Sequence, residues 1–143
     1  MMDKPIGAWK TREIIVAPAT GVKTVTARVM PEMHADLTEL AAAMSDLRNR
    51  PISLNSIVLT LLADGIERLK IDLKNGSTQP IVIAPESGVK PQNVRMLPEM
   101  HSELTRLTGH LQLVLGCQVS LNSLILTLLK SGIQGLKSEL KLI

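Results

Sequence analysis

The chain has no phenylalanine and no tyrosine, and Trp9 is its single aromatic residue. Bases of single-stranded nucleic acids are held mainly by stacking on aromatic rings, so a stacking platform of that kind is excluded. The core must be built from Leu, Ile, Val, Met and Ala. Cysteine is almost as scarce. Cys117 alone permits neither an internal disulfide nor a zinc site of several thiolates, and it fits a reducing, cytoplasmic setting. The opening MMDKPIGAWK has no apolar run of the secretory kind. Between Leu111 and Leu129 charge is missing altogether, over about the length of a membrane span. Gln112, Gln118, Ser120, Asn122 and Ser123 interrupt that stretch, as does Gly116, and the matching earlier stretch holds Asp46, Arg48, Arg50 and Pro51. Buried helices of a soluble protein, with no membrane partner, are the expectation.

Catalytic patterns are also missing. There is no glycine-rich phosphate loop, no nucleophile elbow and no pair of catalytic carboxylates. His34 and His101 occupy matching positions, but no further ligands accompany them at metal-binding spacing, and His110 and Cys117 have no partner pattern either. No enzyme activity, metal, cofactor or small-molecule substrate is expected.

What the chain does have is one phrase written twice. SLNSIVLTLLADGI begins at Ser53, and SLNSLILTLLKSGI begins at Ser120. Sliding the sequence by 67 residues, from Ile14 to Ile81, aligns it without a gap: IIVAPATGVK meets IVIAPESGVK, and PEMHADLTEL meets PEMHSELTRL. Roughly 27 of the 60 positions from Thr11 to Lys70 are identical, so the chain is an internal duplication. The first copy spans 11–71 and the second 80–143. The polar stretch DLKNGSTQ at 72–79 reads as the linker between them. With 143 residues, 45% of them hydrophobic, the chain has material for one modest core or two very small ones. The net charge of +3 permits a nucleic-acid partner without requiring one.

Each copy follows the same local grammar. A β-branched run, IIVAP or IVIAP, reads as a short strand before a glycine turn at Gly21 or Gly88. In KTVTARVM, Val25, Ala27 and Val29 alternate with Thr24, Thr26 and Arg28, the pattern of a half-buried strand. Pro31 and Pro98 suit a first helical position, where no backbone donor is needed. The first helix carries an apolar stripe at Met33, Leu37, Leu40, Met44 and Leu47, repeated at Met100, Leu104, Leu107, Leu111 and Val114. It should end near Asn49, or at Gly116 in the second copy. Ser53 and Ser120 then cap a second helix whose apolar surface is wide enough to be buried on several sides.

A strand ahead of Pro31 and Pro98, two helices behind it, and S-x-N-S at Ser53–Ser56 and Ser120–Ser123 together resemble the ribbon-helix-helix family of DNA-binding proteins. The resemblance covers about Thr24 to Lys70 and Pro91 to Lys137. Family members usually need two chains, so it implies a single-chain pseudo-dimer of α+β, mainly helical class. Its two strands would form one antiparallel ribbon, with an extra short strand before each copy. It further implies sequence-specific binding to double-stranded DNA by a transcriptional repressor or regulator. By strand alternation the base-reading residues would be Thr24, Thr26, Arg28, Asn93 and Arg95. The helix starts would supply phosphate contacts from Ser53, Asn55, Ser56, Ser120, Asn122 and Ser123, with Lys23 and Lys90 at the strand starts.

Two departures leave alternatives open. Arg28 and Arg95 stand three residues before the helix-starting proline, where the family commonly places its last reader two before. A slip of one residue would turn Val25, Ala27 and Val29 outward with Gln92, Val94 and Met96, although burying two arginines is costly. The IIVAP and IVIAP runs have no place in the minimal fold, and as flanking strands they would widen the ribbon and hinder groove entry. The alternatives are therefore an accessory DNA-binding protein of a relaxosome or partition system, and a protein-interaction module with a covered ribbon. Leu59 and Leu126, off the apolar stripe, hint at self-association.

Overall fold

The computed structural model describes Trp9 and residues 12–141. The rest of the opening stretch, and the outer limits of the two copies at residues 11 and 142–143, lie outside the described residues. The protein is α+β and mainly helical, with four helices and one two-stranded antiparallel sheet among the described residues. In chain order they are β1 (Lys23–Val29), α1 (Pro31–Arg48), α2 (Leu54–Lys74), β2 (Lys90–Met96), α3 (Pro98–Leu115) and α4 (Leu121–Leu140). No helix among the described residues is long and apolar enough to cross a membrane.

Local chemistry sets the boundaries. Proline opens α1 and α3, where Met30 and Leu97 hold the cap position with no side-chain cap bond. Both helices stop on a left-handed residue, Asn49 (φ 56°) and Gly116 (φ 71°), a conformation that glycine and asparagine adopt at least cost. Ser53 and Ser120 cap α2 and α4 by accepting from the Ser56 and Ser123 amides, each at 3.0 Å. The helix α2 runs on to Lys74, so the first residues of the expected linker are helical.

Among the described residues the two strands pair only with each other. Thr26 faces Asn93 at the centre, Lys23 faces Met96, and Val29 faces Lys90, with no break in register. Because Thr26 and Asn93 are equivalent positions of the two copies, the pairing is symmetric about that central pair. Ala27, Val29, Val94 and Met96 are buried against the helices, and Val25 and Gln92 are half-buried. Beneath them lie Leu37, Leu40, Met44, Leu104, Leu107 and Leu111 from α1 and α3. Leu47 and Val114 differ from the expected stripe: at 43% and 52% exposure they sit beyond the reach of the core at the helix ends.

At the centre α2 crosses α4 at close range. A Cβ on Gly65 would stand 3.0 Å from Leu128 Cβ, and one on Gly132 would stand 3.0 Å from Leu61 Cδ2. Leu59 and Leu126 are 1% and 0% exposed. They belong to the core and present no surface for self-association.

The IIVAP and IVIAP runs are a second correction. They form no strand. Each lies as an arm along its own copy's second helix, held by Ile15 N–H to Thr60 Oγ1 at 3.0 Å and by Val82 N–H to Thr127 Oγ1 at 2.8 Å. The ribbon edges where a third and fourth strand would dock are occupied by asparagine side chains, described below. One feature breaks the symmetry. Trp9 is buried, its ring lies 4.6 Å from the Arg12 guanidinium, and Arg12 pairs with buried Asp64 at 2.9 Å. Arg68 also reaches Asp64 at 2.9 Å. The second copy has Ser131 and Gly135 where the first has Asp64 and Arg68.

Candidate nucleic-acid interface

The outer face of the ribbon carries Thr24, Thr26 and Arg28 from β1 and Pro91, Asn93 and Arg95 from β2, all exposed. The polar set therefore points away from the core, and the alternative set, Val25, Ala27, Val29, Gln92, Val94 and Met96, points into it. The reason is the one that made burial of two arginines unfavourable: the helices below offer only apolar surface. The register has no bulge, so the outward direction of Arg28 and Arg95 does not depend on one.

At the centre Thr26 Oγ1 donates to Asn93 Oδ1 at 2.7 Å. That bond occupies one acceptor site of the Asn93 amide and leaves the second lone pair of Oδ1 and the NH2 group uncommitted. Pro91 belongs to the same face, which the parity it shares with Asn93 already implied. Its missing N–H does no damage to the ladder. Antiparallel strands turn alternate residues' polar groups outward, and Pro91 shares the outward set with Arg95, whose N–H is bonded away from β1.

The two arginines are held from behind. Arg95 N–H donates to Asn55 Oδ1 at 2.8 Å, and Asn55 Nδ2 donates back to the Arg95 carbonyl at 3.0 Å. In the other half, Arg28 N–H donates to Asn122 Oδ1 at 2.7 Å, and Asn122 Nδ2 donates to the Arg28 carbonyl at 3.3 Å. Each carboxamide stands in for a peptide group of a neighbouring strand. It adds one rung to the ladder and carries it from the first copy to the second, or from the second to the first. By the same bonds it places the start of α2 or α4 at the ribbon's flank.

No protein-family model, curated protein or solved structure matches this chain.

The residues expected to meet phosphate divide into two groups. Lys23 and Lys90 are exposed at opposite ends of the ribbon, and Ser53 and Ser120 are exposed at the two helix starts. At each start the first backbone amides have no intrahelical acceptor, and they lie where the macrodipole is positive. Asn55 and Asn122 turn to the ribbon: each carboxamide accepts from and donates to an arginine backbone, which commits one of its two Nδ2 hydrogens. Ser56 and Ser123 are corrected. They are buried, 4% and 8% exposed, and accept from the Ser53 and Ser120 hydroxyls at 3.1 and 3.0 Å. Their side chains face the core and cannot reach a phosphate.

His34 and His101 are half-buried near the starts of α1 and α3, and His110 and Cys117 are exposed elsewhere. Among the described residues no cluster of three or more His, Cys, Asp or Glu side chains is placed to hold a metal ion.

Proposed function

We propose that the chain is a ribbon-helix-helix pair fused into one polypeptide, and that it regulates transcription by binding a specific double-stranded DNA sequence. The single observation that carries this reading is the exposed face of a lone two-stranded ribbon, lined by Thr24, Thr26, Arg28, Asn93 and Arg95. A two-stranded ribbon fits the major groove, roughly 12 Å wide, and arginine grips the guanine edge there through two parallel bonds. The arms lie outside the sheet and leave that face open. Two helix starts flank it, suited to the phosphates on either side of the groove.

The two halves of the face differ: Thr24, Thr26 and Arg28 on β1 stand against Pro91, Asn93 and Arg95 on β2. The target is therefore non-palindromic. Selection from random duplexes should return one asymmetric site whose affinity falls steeply with salt, as counterions are released. On that site Arg28→Ala should weaken contacts in one half and Arg95→Ala in the other, by about 1–3 kcal/mol each. Absence of binding at low salt, or identical footprints for the two variants, sinks the reading.

One observation favours a second reading, an accessory protein that marks a transfer origin or segregation site and recruits an enzyme. Leu113, Val114 and Leu115 are 87%, 52% and 36% exposed at the end of α3, where the first copy has Asp46, Leu47 and Arg48. A reporter under the selected site, set against capture of a DNA-nicking enzyme by the bound complex, separates the two.

A further inference from the structure

The arms are a repeated feature that DNA reading by the strands leaves without a role. In each copy the arm is pinned at one matching point, by Thr60 or Thr127. Both hydroxyls are buried, and each donates its own proton one turn back, to the Ser56 or Ser123 carbonyl at 2.7 Å. The threonine proton is thereby committed, and the oxygen lone pair faces the arm. Beyond the pin each arm breaks into a Pro-x-x-Gly turn, Pro18–Gly21 or Pro85–Gly88. The glycines have φ of 76° and 79°, in the left-handed region that favours glycine. The turn carbonyls then meet the arginine of the other copy. Arg95 Nη2 donates to the Pro18 and Ala19 carbonyls at 3.2 and 3.4 Å, and Arg28 Nη2 donates to the Glu86 carbonyl at 3.4 Å. Ala19 and Glu86 are equivalent positions, and because the acceptors are backbone groups the change of side chain leaves the contact intact.

We propose that each arm is a positioning element acting across the two copies: the arm pinned by Thr60 sets the direction of Arg95, and the arm pinned by Thr127 sets that of Arg28. This rests on the ribbon face being the DNA-reading surface. A bidentate grip on a base requires the guanidinium plane at a fixed angle, and a long side chain on an exposed strand loses much rotamer freedom in adopting it. Here the backbone of each arginine is fixed by Asn55 or Asn122 and its tip by the arm. Nε and Nη1 of each arginine make no bond to the arm and stay available for a base. Ordering completed before binding is ordering that the complex does not have to supply. Thr60, Thr127 and the two turns thus determine which base edge each arginine reaches, without touching DNA themselves.

The test uses Thr60→Val, which keeps the side-chain shape and deletes the acceptor, with Thr60→Ser to restore it. The first readout needs no DNA. In nitrogen-15 spectra of the full chain, rotation of the Arg95 guanidinium should be hindered in the wild type, freed in Thr60→Val and hindered again in Thr60→Ser. Arg28 should be unchanged throughout. The second readout is discrimination on the selected duplex. Thr60→Val should reduce the preference for the correct base in the Arg95 half by about tenfold, within the range one bidentate contact provides. Discrimination in the Arg28 half and the salt slope should stay the same. If Thr60→Val does not fold, Ile15→Pro deletes the donor on the arm and is read in the same two ways. A wild-type chain that binds no duplex overturns the DNA reading itself. Arg95 signals unmoved by the variant, or both arginines loosened equally, overturn the arm's role while leaving the DNA reading intact.

Discussion

Asn55 and Asn122 hold a position where their chemistry is used at both ends. A strand edge presents one N–H and one C=O side by side, and a carboxamide offers the complementary oxygen and NH2 at the same separation. Aspartate supplies only acceptors and serine is too short to span both groups. Removing one carboxamide leaves an Arg95 or Arg28 peptide to water, a net loss typical of hydrogen bonds near a surface. Asn55→Ala should therefore lower the unfolding free energy by about 0.5–1.5 kcal/mol. Asn55→Asp should fall between wild type and alanine, since it retains the bond from Arg95 N–H and loses the one to its carbonyl. Urea denaturation read by far-ultraviolet circular dichroism measures both. Equal stability for Asn55→Ala and wild type would mean that the carboxamide adds nothing to the ladder. The repeated asparagine was visible in the sequence, but its partner lies 40 residues away in one direction and 94 in the other. Its role as a strand clamp depends on a tertiary approach that no local pattern encodes.

The helix crossing shows which parts of an element depend on shape alone. Gly65 and Gly132 let α2 and α4 approach until Leu128 and Leu61 fill the space a side chain would take. A methyl group there meets the Cβ end of a leucine, which cannot swing aside. Gly65→Ala should destabilise by about 1–3 kcal/mol through overpacking, despite the better helix propensity of alanine. Gly109, within α3, meets nothing within 4 Å, so Gly109→Ala should stabilise by up to about 1 kcal/mol. Opposite signs for the same substitution in two helices, measured by thermal unfolding, separate packing from propensity. Much at this scale could be read in advance. Alternation at Val25, Ala27 and Val29, the prolines at 31 and 98, and the serines at 53 and 120 each act within a few residues, and each marks its element where it lies. The arms could not be read so. A β-branched run such as IIVAP becomes a strand only where an edge is free to receive it, and here Asn55 and Asn122 occupy the edges while Thr60 and Thr127 offer another partner. The helices end at Asn49 and Gly116 as their local chemistry indicates, but the buried stripe stops earlier: the apolar period continues through Leu47 and Val114, and the core beneath it does not.

The whole molecule depends on each copy lacking what the other provides. Among the described residues β1 has no partner but β2, and a two-stranded ribbon is marginal in water without helices to pack on. The apolar face of α2 around Leu61 is closed by α4 at Gly132, and the face of α4 around Leu128 is closed by α2 at Gly65. In one chain the linker turns this association into an internal step, with an effective concentration on the order of millimolar. Unfolding of the intact chain should then be independent of protein concentration. With the chain divided between Asn75 and Gly76, the two pieces still carry every pairing surface, and association becomes bimolecular. The melting temperature of the mixture should rise with concentration, following mass action, and each piece at low concentration should be largely unfolded by circular dichroism. The pieces are not interchangeable, because Trp9, Arg12 and the Asp64–Arg68 pair belong to the first alone. Mixed pairs should therefore outcompete pairs of the second piece with itself, because only the first piece brings Trp9, whose backbone N–H donates to the Glu139 carboxylate of the second, and native mass spectrometry of the mixture measures that preference directly. If either piece alone is a folded monomer, the two copies are independent domains and the shared ribbon cannot be the basis of the fold.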